Sequence, residues 1–271
     1  MIAYILIPLI FIFLFYLLMI CPNESRYEQI MMLNHTLFAH RGYHDKEHLI
    51  PENSMLAFQS AVKENLAIEL DIHLTKDNQI VVFHDDSLKR VCNVSGIIKD
   101  WTYEELSALH LFNTSEKIPL LSDVLSYIDG RVPLLIEIKS HKNDTAICHY
   151  AYELLQKYTG TYLIQSFNSF ALHWFKQNAP QVLRGQLSSN LTASTGTDPF
   201  ILRFAVKFLL VNFLGRPDFI SYKLEDVNNL SLGLIQFLYR APIAVWTIRN
   251  EAAMNLAMTR YNMVIFENFR K

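Results

Sequence analysis

The chain has 271 residues, of which 51% are apolar, and its formal net charge at pH 7 is −2. This length accommodates one large α/β domain or two smaller ones. Nucleic acid is not predicted as a partner, because a chain with so little net charge offers no basic stripe to neutralise a phosphate backbone. The cysteines, Cys21, Cys92 and Cys148, are odd in number and widely spaced, which argues against a disulfide framework and a zinc site.

The chain begins with an uninterrupted apolar and aromatic run over residues 2–20. A helix of this length can cross about 30 Å of hydrocarbon at about 1.5 Å per residue, and Pro8 is tolerable inside a membrane helix. A secretory signal peptide is the alternative, but the basic n-region, the shorter apolar core and the small-residue cleavage site are missing. We therefore predict an uncleaved transmembrane anchor over residues 1–21.

A polar connector over residues 22–36 separates the predicted anchor from the rest of the chain. Arg26 is the basic residue that follows the run most closely, and Glu24 and Glu28 dilute its charge. The positive-inside rule leans toward a domain on the cytoplasmic side, as do unpaired cysteines. We expect a membrane protein with a single N-terminal anchor.

From Leu37 onward, short apolar strands alternate with helical stretches, which is typical of βα units around a parallel sheet. Strands are predicted at 37–41, 67–72, 133–138, 162–166, 182–187, 218–222, 242–247 and 263–267. Helices are predicted at 53–64, 103–109, 121–128, 144–157, 168–177, 199–213, 228–239 and 251–259. Eight such units favour an α/β fold of the (β/α)8 TIM-barrel type over residues 37–271.

One segment, from Glu69 to His84, interrupts this alternation because it has no room for a helix. Lys76-Asp77-Asn78 is a turn signal, so we predict a β-hairpin. The hairpin would bring Asp71 opposite His84 or its neighbour, and strand alternation would place Glu69, Asp71 and His73 on one face. Carboxylates and imidazoles are thus gathered at one place.

Reactive residues recur where apolar runs meet loops, as in His40-Arg41-Gly42, Glu69-Leu70-Asp71 and His84-Asp85. Carboxylates hold a hard cation, arginine holds a phosphate, and histidine moves protons near neutral pH. This combination predicts cleavage of a phosphate diester with a divalent metal ion, Mg²⁺ or Ca²⁺.

Eight short segments, taken in their order and spacing, resemble the glycerophosphodiester phosphodiesterase family over residues 37–248. They are Phe38–Gly42, Pro51–Ser54, Ile68–Ile72, Thr75–Asp77, Val81–Asp85, Leu134–Lys139, Gln165–Phe167 and Val245–Thr247. The resemblance implies a (β/α)8 barrel with a small insertion, here about residues 85–132. It also implies metal-dependent hydrolysis of glycerophosphodiesters to sn-glycerol 3-phosphate and an alcohol.

The resemblance further implies a role for individual residues. The metal-binding carboxylates would be Glu69, Asp71 and Glu137, the acid–base pair His40 and His84, and the phosphate-binding cations Arg41 and Lys139. Glu52 and Trp246 are predicted at the substrate pocket.

Structural alternatives remain for four of the residues near the predicted site. Glu137 and Lys139 share one face of a strand, so a salt bridge between them is the alternative to a ligand beside a phosphate contact. Trp246 can pack at the top of the barrel instead of lining the pocket. His73 is either close to the metal or simply packed beside it.

Two segments near the C-terminus depart from the family. Trp246–Arg249 stands where the family has Trp-Thr-Val-Asn, and the last strand lacks the family's Gly-Ile-x-Thr-Asp-Tyr-Pro, with Glu267 in the place of the Asp. The final strand can still close the barrel, but its contribution to the site stays open.

A further unusual segment is the apolar stretch Phe200–Leu214, in which Arg203 and Lys207 share one helical face. It is either a helix under a loop or an interfacial helix that touches membrane lipid. In the second case the pocket would also accept a lysolipid.

Two alternatives to the first functional reading follow from these features. The protein is then either a lysophospholipase D or phospholipase-type hydrolase at the membrane, or a catalytically silent barrel used as a binding module. The sequence does not define an oligomeric state.

Overall fold

The computed structural model of this protein describes residues 2–193 and 198–267. Met1 and residues 268–271, the outer ends of the predicted anchor and barrel segments, lie outside the described residues. Within the described residues, nine strands form one sheet. They are β1 (Thr36–Ala39), β2 (Ala67–Leu74), β3 (Ile80–Val82), β4 (Leu134–Ile138), β5 (Tyr162–Ser166), β6 (Leu183–Ser188), β7 (Phe219–Lys223), β8 (Ile243–Ile248) and β9 (Met263–Phe266).

Eight of these strands close into a parallel barrel. β1 pairs with β2 on one side and with β9 on the other, and β4 to β8 follow in order between β2 and β9. β3 is antiparallel to β2 and lies outside the ring. The predicted (β/α)8 fold is confirmed, and all eight predicted strands are present close to their predicted bounds.

Helices precede the barrel and follow its strands. They are α1 (Ile2–Ile20), α2 (Tyr27–Met31), α3 (Met55–Lys63), α4 (Lys89–Cys92), α5 (Tyr103–Ser107), α6 (Leu121–Ile128), α7 (Ala146–Leu155), α8 (Ser169–Asn178), α9 (Phe200–Lys207), α10 (Asn212–Gly215), α11 (Leu230–Leu234) and α12 (Glu251–Arg260). A π-helical turn, Ile235–Tyr239, continues α11. Between β3 and α6 the chain forms a small core of its own around Val91, Ile98 and Leu106.

The predicted β-hairpin is the pair β2–β3, joined by a turn in which Asn78 has a φ of 61°. The backbone N–H of Phe83 donates to the carbonyl oxygen of Asp71 at 3.0 Å. His84 is the next residue, so the prediction that Asp71 lies opposite His84 or its neighbour is confirmed. The hairpin therefore brings His84, which follows a strand outside the barrel, close to Asp71 on a barrel strand.

Side chains that point into the barrel form two levels. The lower level is apolar and consists of Phe38, Ala67, Leu135, Leu163, Phe219, Ala244, Met263 and Ile265, with Ile30 of α2 packed against them. Because alternate strand residues share a face, the next inward residues along β2, β4 and β5 are Glu69, Glu137 and Gln165. On these three strands the level nearer the C-terminal ends is therefore polar, although it is buried.

The prediction of one helix over residues 199–213 is wrong, because the segment forms α9 and α10 with a turn between them. Leu209 in that turn has a φ of 56°, a left-handed conformation that an α-helix cannot contain. The end of α9 is fixed by the barrel, since Tyr222 Oη donates to the carbonyl oxygen of Lys207 at 2.9 Å. A contact between distant residues thus ends a helix that the local apolar pattern would continue.

The N-terminal segment, predicted as a membrane anchor, is the helix α1. Among the described residues, no helix combines the length and the apolar character needed to cross a membrane. The transmembrane anchor predicted over residues 1–21 is therefore not supported. The C-terminal end of α1 packs on the barrel, where Tyr16 Oη lies 2.8 Å from Ser231 Oγ and Asn212 Nδ2 donates to the carbonyl oxygen of Ile20 at 2.9 Å.

Candidate active site

A pocket opens at the C-terminal ends of the barrel strands, where (β/α)8 barrels carry their functional groups. Its charged and imidazole lining comprises His40, Arg41, Glu69, His84, Glu137, Lys139 and Arg249. Its apolar lining comprises Phe167, Leu187, Trp246 and Ile265. The pocket therefore has one highly polar wall and one apolar wall.

The turn after β1 places a histidine and an arginine at the pocket. Arg41 and Gly42 have φ values of 58° and 80°, and a Cβ at position 42 would lie only 2.8 Å from the Cβ of Ala57. A glycine is required at that position because nothing larger fits between the turn and α3. The turn aims the N–H of Arg41 at a carboxylate oxygen of Glu69, at 3.1 Å.

Three buried carboxylates form one cluster. Glu69 and Asp71 come from β2 and Glu137 from β4, where it pairs directly with Asp71 in the sheet register. One oxygen of each lies within 4.8 Å of the others. Burial and the charges of Asp71 and Glu137 raise the pKa of Glu69 well above its usual value. An all-oxygen donor set with mutual repulsion suits a hard divalent cation, which would relieve that repulsion.

Lys139 is the cation that the structure places against this cluster. Its Nζ lies 2.8 Å from Asp71 Oδ1 and 2.5 Å from Glu137 Oε1. Burial alone would lower the pKa of Lys139, but the two carboxylate charges raise it, so the ammonium stays protonated. The salt bridge considered as an alternative for Glu137 and Lys139 is present, and both residues also line the pocket.

His40 is held by a carboxylate on the last strand. Its Nδ1 lies 2.5 Å from Oε2 of Glu267, and Arg249 Nε donates to the other oxygen of Glu267 at 2.7 Å. Burial, together with the charge of Arg41, lowers the pKa of His40 although Glu267 opposes the shift. His40 is therefore neutral near pH 7 and able to accept a proton.

His84 is held in the same manner by its own neighbour. Its Nδ1 lies 2.6 Å from Oδ1 of Asp85, and Arg90 Nε donates to Asp85 Oδ2 at 2.6 Å. Although burial opposes it, contact with His84 and Arg90 holds the pKa of Asp85 well below its usual value. Asp85 is therefore an ionised acceptor for the imidazole.

The remaining residues predicted for the site lie at or near its edge. Glu52 is outside the pocket lining and links Arg41 Nη1 to Arg90 Nη2, at 2.7 Å from each. Trp246 lines the pocket, with its ring edge-on to Phe167 at a centroid distance of 5.9 Å. His73 is not in the lining, and its Nε2 lies 3.2 Å from the carbonyl oxygen of His84.

Several other residues at the site were assigned no role in the sequence analysis. Asn53 Nδ2 donates to Asp71 Oδ2 at 2.9 Å, and Gln165 Nε2 donates to Glu69 Oε1 at 3.3 Å. Both residues belong to segments that match the family, and the alternation along β5 could have placed Gln165 inside the barrel. No local pattern marks Arg90 or Arg249. Arg90 contacts Asp85 and the more distant Glu52, and Arg249 contacts Glu267 across the last two strands.

The fold and the site together define a class: (β/α)8-barrel proteins with an acidic cluster suited to a divalent cation. Two histidines and two basic residues, Arg41 and Lys139, line the same pocket. The profile of the "Glycerophosphoryl diester phosphodiesterase family" matches residues 40–267. The chain therefore belongs to this family.

Individual relatives agree with this assignment. A putative glycerophosphodiester phosphodiesterase, YhdW of Bacillus subtilis (strain 168), is 38% identical over 155 residues, which are 54% of this chain and 63% of the relative. A glycerophosphodiester phosphodiesterase of Bacillus altitudinis is 42% identical over 110 residues, 38% of this chain and 44% of the relative. The matched part of this chain thus spans less than two thirds of either relative.

Among solved structures, an Oleispira antarctica phosphodiesterase in complex with the product sn-glycerol-3-phosphate superposes with a TM-score of 0.71. It is 22% identical, and the match covers 88% of this chain and 94% of that structure. At 22% identity this similarity shows the fold alone.

Proposed function

We propose that this protein hydrolyses glycerophosphodiesters to sn-glycerol 3-phosphate and an alcohol, using a divalent cation and two histidines. The observation that carries the proposal is a single pocket with an acidic cluster at its floor, cations beside it, and His40 and His84 in its lining. Membership of the family supports the proposal. So does the fold relative that was solved with sn-glycerol-3-phosphate.

The cation would be held by Glu69, Asp71 and Glu137, and its chemistry is that of Mg²⁺ or Ca²⁺. When bound, it supplies positive charge against the phosphoryl oxygens as negative charge builds up on them. Asn53 and Gln165 hold two of the three carboxylates in place through amide hydrogen bonds.

Arg41 and Lys139 bind the phosphate. The guanidinium of Arg41 is partly neutralised by Glu52 at 2.7 Å, and its Nε lies 3.6 Å from Asp71. A planar guanidinium matches two phosphate oxygens at once, whereas the ammonium of Lys139 acts as a point charge. The apolar wall with Trp246 and Phe167 would contact the carbon atoms of the glycerol or of the head group.

We assign the two histidines opposite roles because they differ in burial. His40 is neutral and accepts the proton of the attacking hydroxyl, which belongs either to the glycerol or to water. We assign His84 to the leaving group, because its side chain is 32% exposed against 13% for His40 and therefore lies nearer the solvent into which the alcohol is released. His84 then donates a proton to the leaving alkoxide as the old P–O bond breaks and the new one forms.

Metal removal tests this function directly. We expect the full-length protein to release glycerol 3-phosphate from glycerophosphocholine with Mg²⁺ or Ca²⁺ and to lose this activity after chelation. Because a bound metal contributes several kcal/mol, Asp71→Asn should lower kcat/KM by about 100-fold or more. Glu153→Gln on the exposed face of α7 is the control. A folded, metal-binding protein without product release would contradict the proposal.

A second candidate is hydrolysis of lysophospholipids at a lipid surface, and we propose it from the exposed apolar side chains. Tyr4 of α1 is 85% exposed, and Phe200 and Ile201 of α9 are 62% and 78% exposed. Ser188 Oγ, at the C-terminal end of β6, donates to the carbonyl oxygen of Val206 at 2.8 Å. This contact sets α9 at the rim that carries the pocket. In this proposal α1 and α9 hold the protein at a membrane.

Exchange of two exposed side chains separates the two candidates. Phe200→Ser with Ile201→Ser should lower turnover of a long-chain lysophosphatidylcholine in vesicles by about 100-fold or more, because each lost apolar side chain removes about 1.5–3 kcal/mol of burial in lipid. Turnover of glycerophosphocholine should stay the same. Leu256→Ser on α12 is the matched control. Equal loss on both substrates, or no lysolipid turnover by the unchanged protein, would leave only the first candidate.

A further inference from the structure

The contact between His40 and the last strand involves a third residue. Glu267 follows β9 and Arg249 follows β8, and Arg249 is part of the pocket lining. One oxygen of Glu267 lies 2.5 Å from His40 Nδ1, and the other accepts from Arg249 Nε at 2.7 Å. The three groups form a chain from the exposed rim to the imidazole.

Glu267 can only accept from His40, because the carboxylate is ionised. Burial would raise the pKa of Glu267, but contacts with His40, His44 and Arg249 hold it well below its usual value. His40 Nδ1 must therefore carry the proton, which leaves Nε2 unprotonated in the neutral ring. Since His40 lines the pocket, Nε2 is the nitrogen that can accept a proton there.

Arg249 helps to keep Glu267 in contact with His40, because a second histidine also lies close to the Glu267 carboxylate. His44 Nε2 lies 3.9 Å from the same oxygen that contacts His40. The hydrogen bond from Arg249 to Oε1 of Glu267 fixes the plane of the carboxylate. Oε2 of Glu267 is thereby kept in contact with His40 Nδ1. The Arg249 side chain is 51% exposed, so this interaction is a directed contact at the surface and not part of the core.

His84, which also lines the pocket, has the same arrangement through Asp85 and Arg90. In both cases a carboxylate contacts Nδ1 and an arginine contacts the other carboxylate oxygen. Arg249 and Glu267 also lie in the two C-terminal segments that the sequence analysis singled out as unlike the family.

We propose that Arg249 and Glu267 act as one unit that positions His40, holding its ring so that Nε2 faces the substrate. Neither residue is assigned contact with the reacting atoms, so both are positioning residues. The inference rests on the proposed function, in which His40 accepts the proton of the nucleophile. The charged groups around the unit are Arg41 and Asp71 near His40, and His44 near Glu267.

A double-mutant cycle tests the unit. Glu267→Gln should lower kcat by about 10- to 100-fold, as is typical for partners behind a functional histidine, with little change in KM. Arg249→Ala should cost less. The double variant should be no worse than Glu267→Gln alone, because Arg249 acts only through Glu267. Arg249→Lys should recover part of the loss. Glu153→Gln, which breaks the exposed pair with His149, is the control.

A second readout does not depend on turnover. In protein with ¹⁵N-labelled histidine, the ring nitrogens of His40 should report a protonated Nδ1 and an unprotonated Nε2, and Glu267→Gln should give a mixture of tautomers. If the unchanged protein hydrolyses no glycerophosphodiester, the proposed function fails, and the NMR result alone decides the positioning of His40. Additive losses in the cycle, or an unchanged tautomer in Glu267→Gln, would overturn the inference.

Discussion

His84→Ala is expected to lower kcat for glycerophosphocholine by about 10²- to 10⁴-fold, the usual contribution of a general acid. The loss arises because the departing choline alkoxide then leaves without a proton. Binding of the divalent cation, followed by calorimetry, should be unaffected, since His84 is not among the three carboxylates of the cluster. His141→Ala is the matched control, because His141 is an exposed imidazole that also contacts an aspartate, Asp86, at 2.7 Å.

The nature of the leaving group then distinguishes the two histidines. A glycerophosphodiester with a p-nitrophenol leaving group needs no proton at the departing oxygen. His84→Ala should recover most of its rate on this substrate, whereas His40→Ala should stay slow, since the nucleophile still has to lose its proton. Recovery by His40→Ala instead would reverse the two roles. Equal recovery by both variants would contradict the division between base and acid.

Lys139→Met is expected to destabilise the metal-free protein by about 3–5 kcal/mol, the usual cost of removing one partner of a buried ion pair. Asp71 and Glu137 would lose the charge that lies within 2.8 Å and 2.5 Å of them. Saturating Mg²⁺ or Ca²⁺ should recover part of the loss, because a cation bound only by the folded protein stabilises it and supplies the missing charge. Urea unfolding with and without metal measures both effects.

Lys223→Met is the control for this experiment. Lys223 also ends a barrel strand, but its side chain is 40% exposed and lies 4.0 Å from Glu225. Pairs of this kind contribute about 0–1 kcal/mol, so the control should unfold almost as the unchanged protein does. If Lys139→Met without metal unfolded at the same urea concentration as the control, the counter-charge role of Lys139 would be wrong.

The strands and the hairpin could be predicted because each is a short-range pattern. Apolar runs of strand length bounded by turn residues defined β1, β2 and β4 to β9, and the Lys76–Asn78 turn defined the return strand β3. The grouping of Glu69 with Asp71 followed from strand alternation alone. Their approach to Glu137 followed from the resemblance, and the pairing of β2 with β4 is its structural basis.

Other features depended on contacts between distant parts of the chain. The break between α9 and α10 depends on the hydrogen bond from Tyr222 to Lys207, which no local pattern announces. The membrane anchor was inferred from hydropathy alone, and the described residues do not support a span. The arginines behind the histidines were missed because no local pattern ties Arg90 to Asp85, and Arg249 reaches Glu267 only across the last two strands.

The sequence by itself determined the architecture and the chemical types at the site, since hydrophobic period, turn residues and ordered short segments are written along the chain. Only the tertiary structure decided how those groups are held. It shows Lys139 as the counter-charge of the acidic cluster and a carboxylate with an arginine behind each histidine. The reason is physical: an ion pair depends on separations of about 3 Å in space. Closing the barrel sets those separations, and positions along the sequence do not.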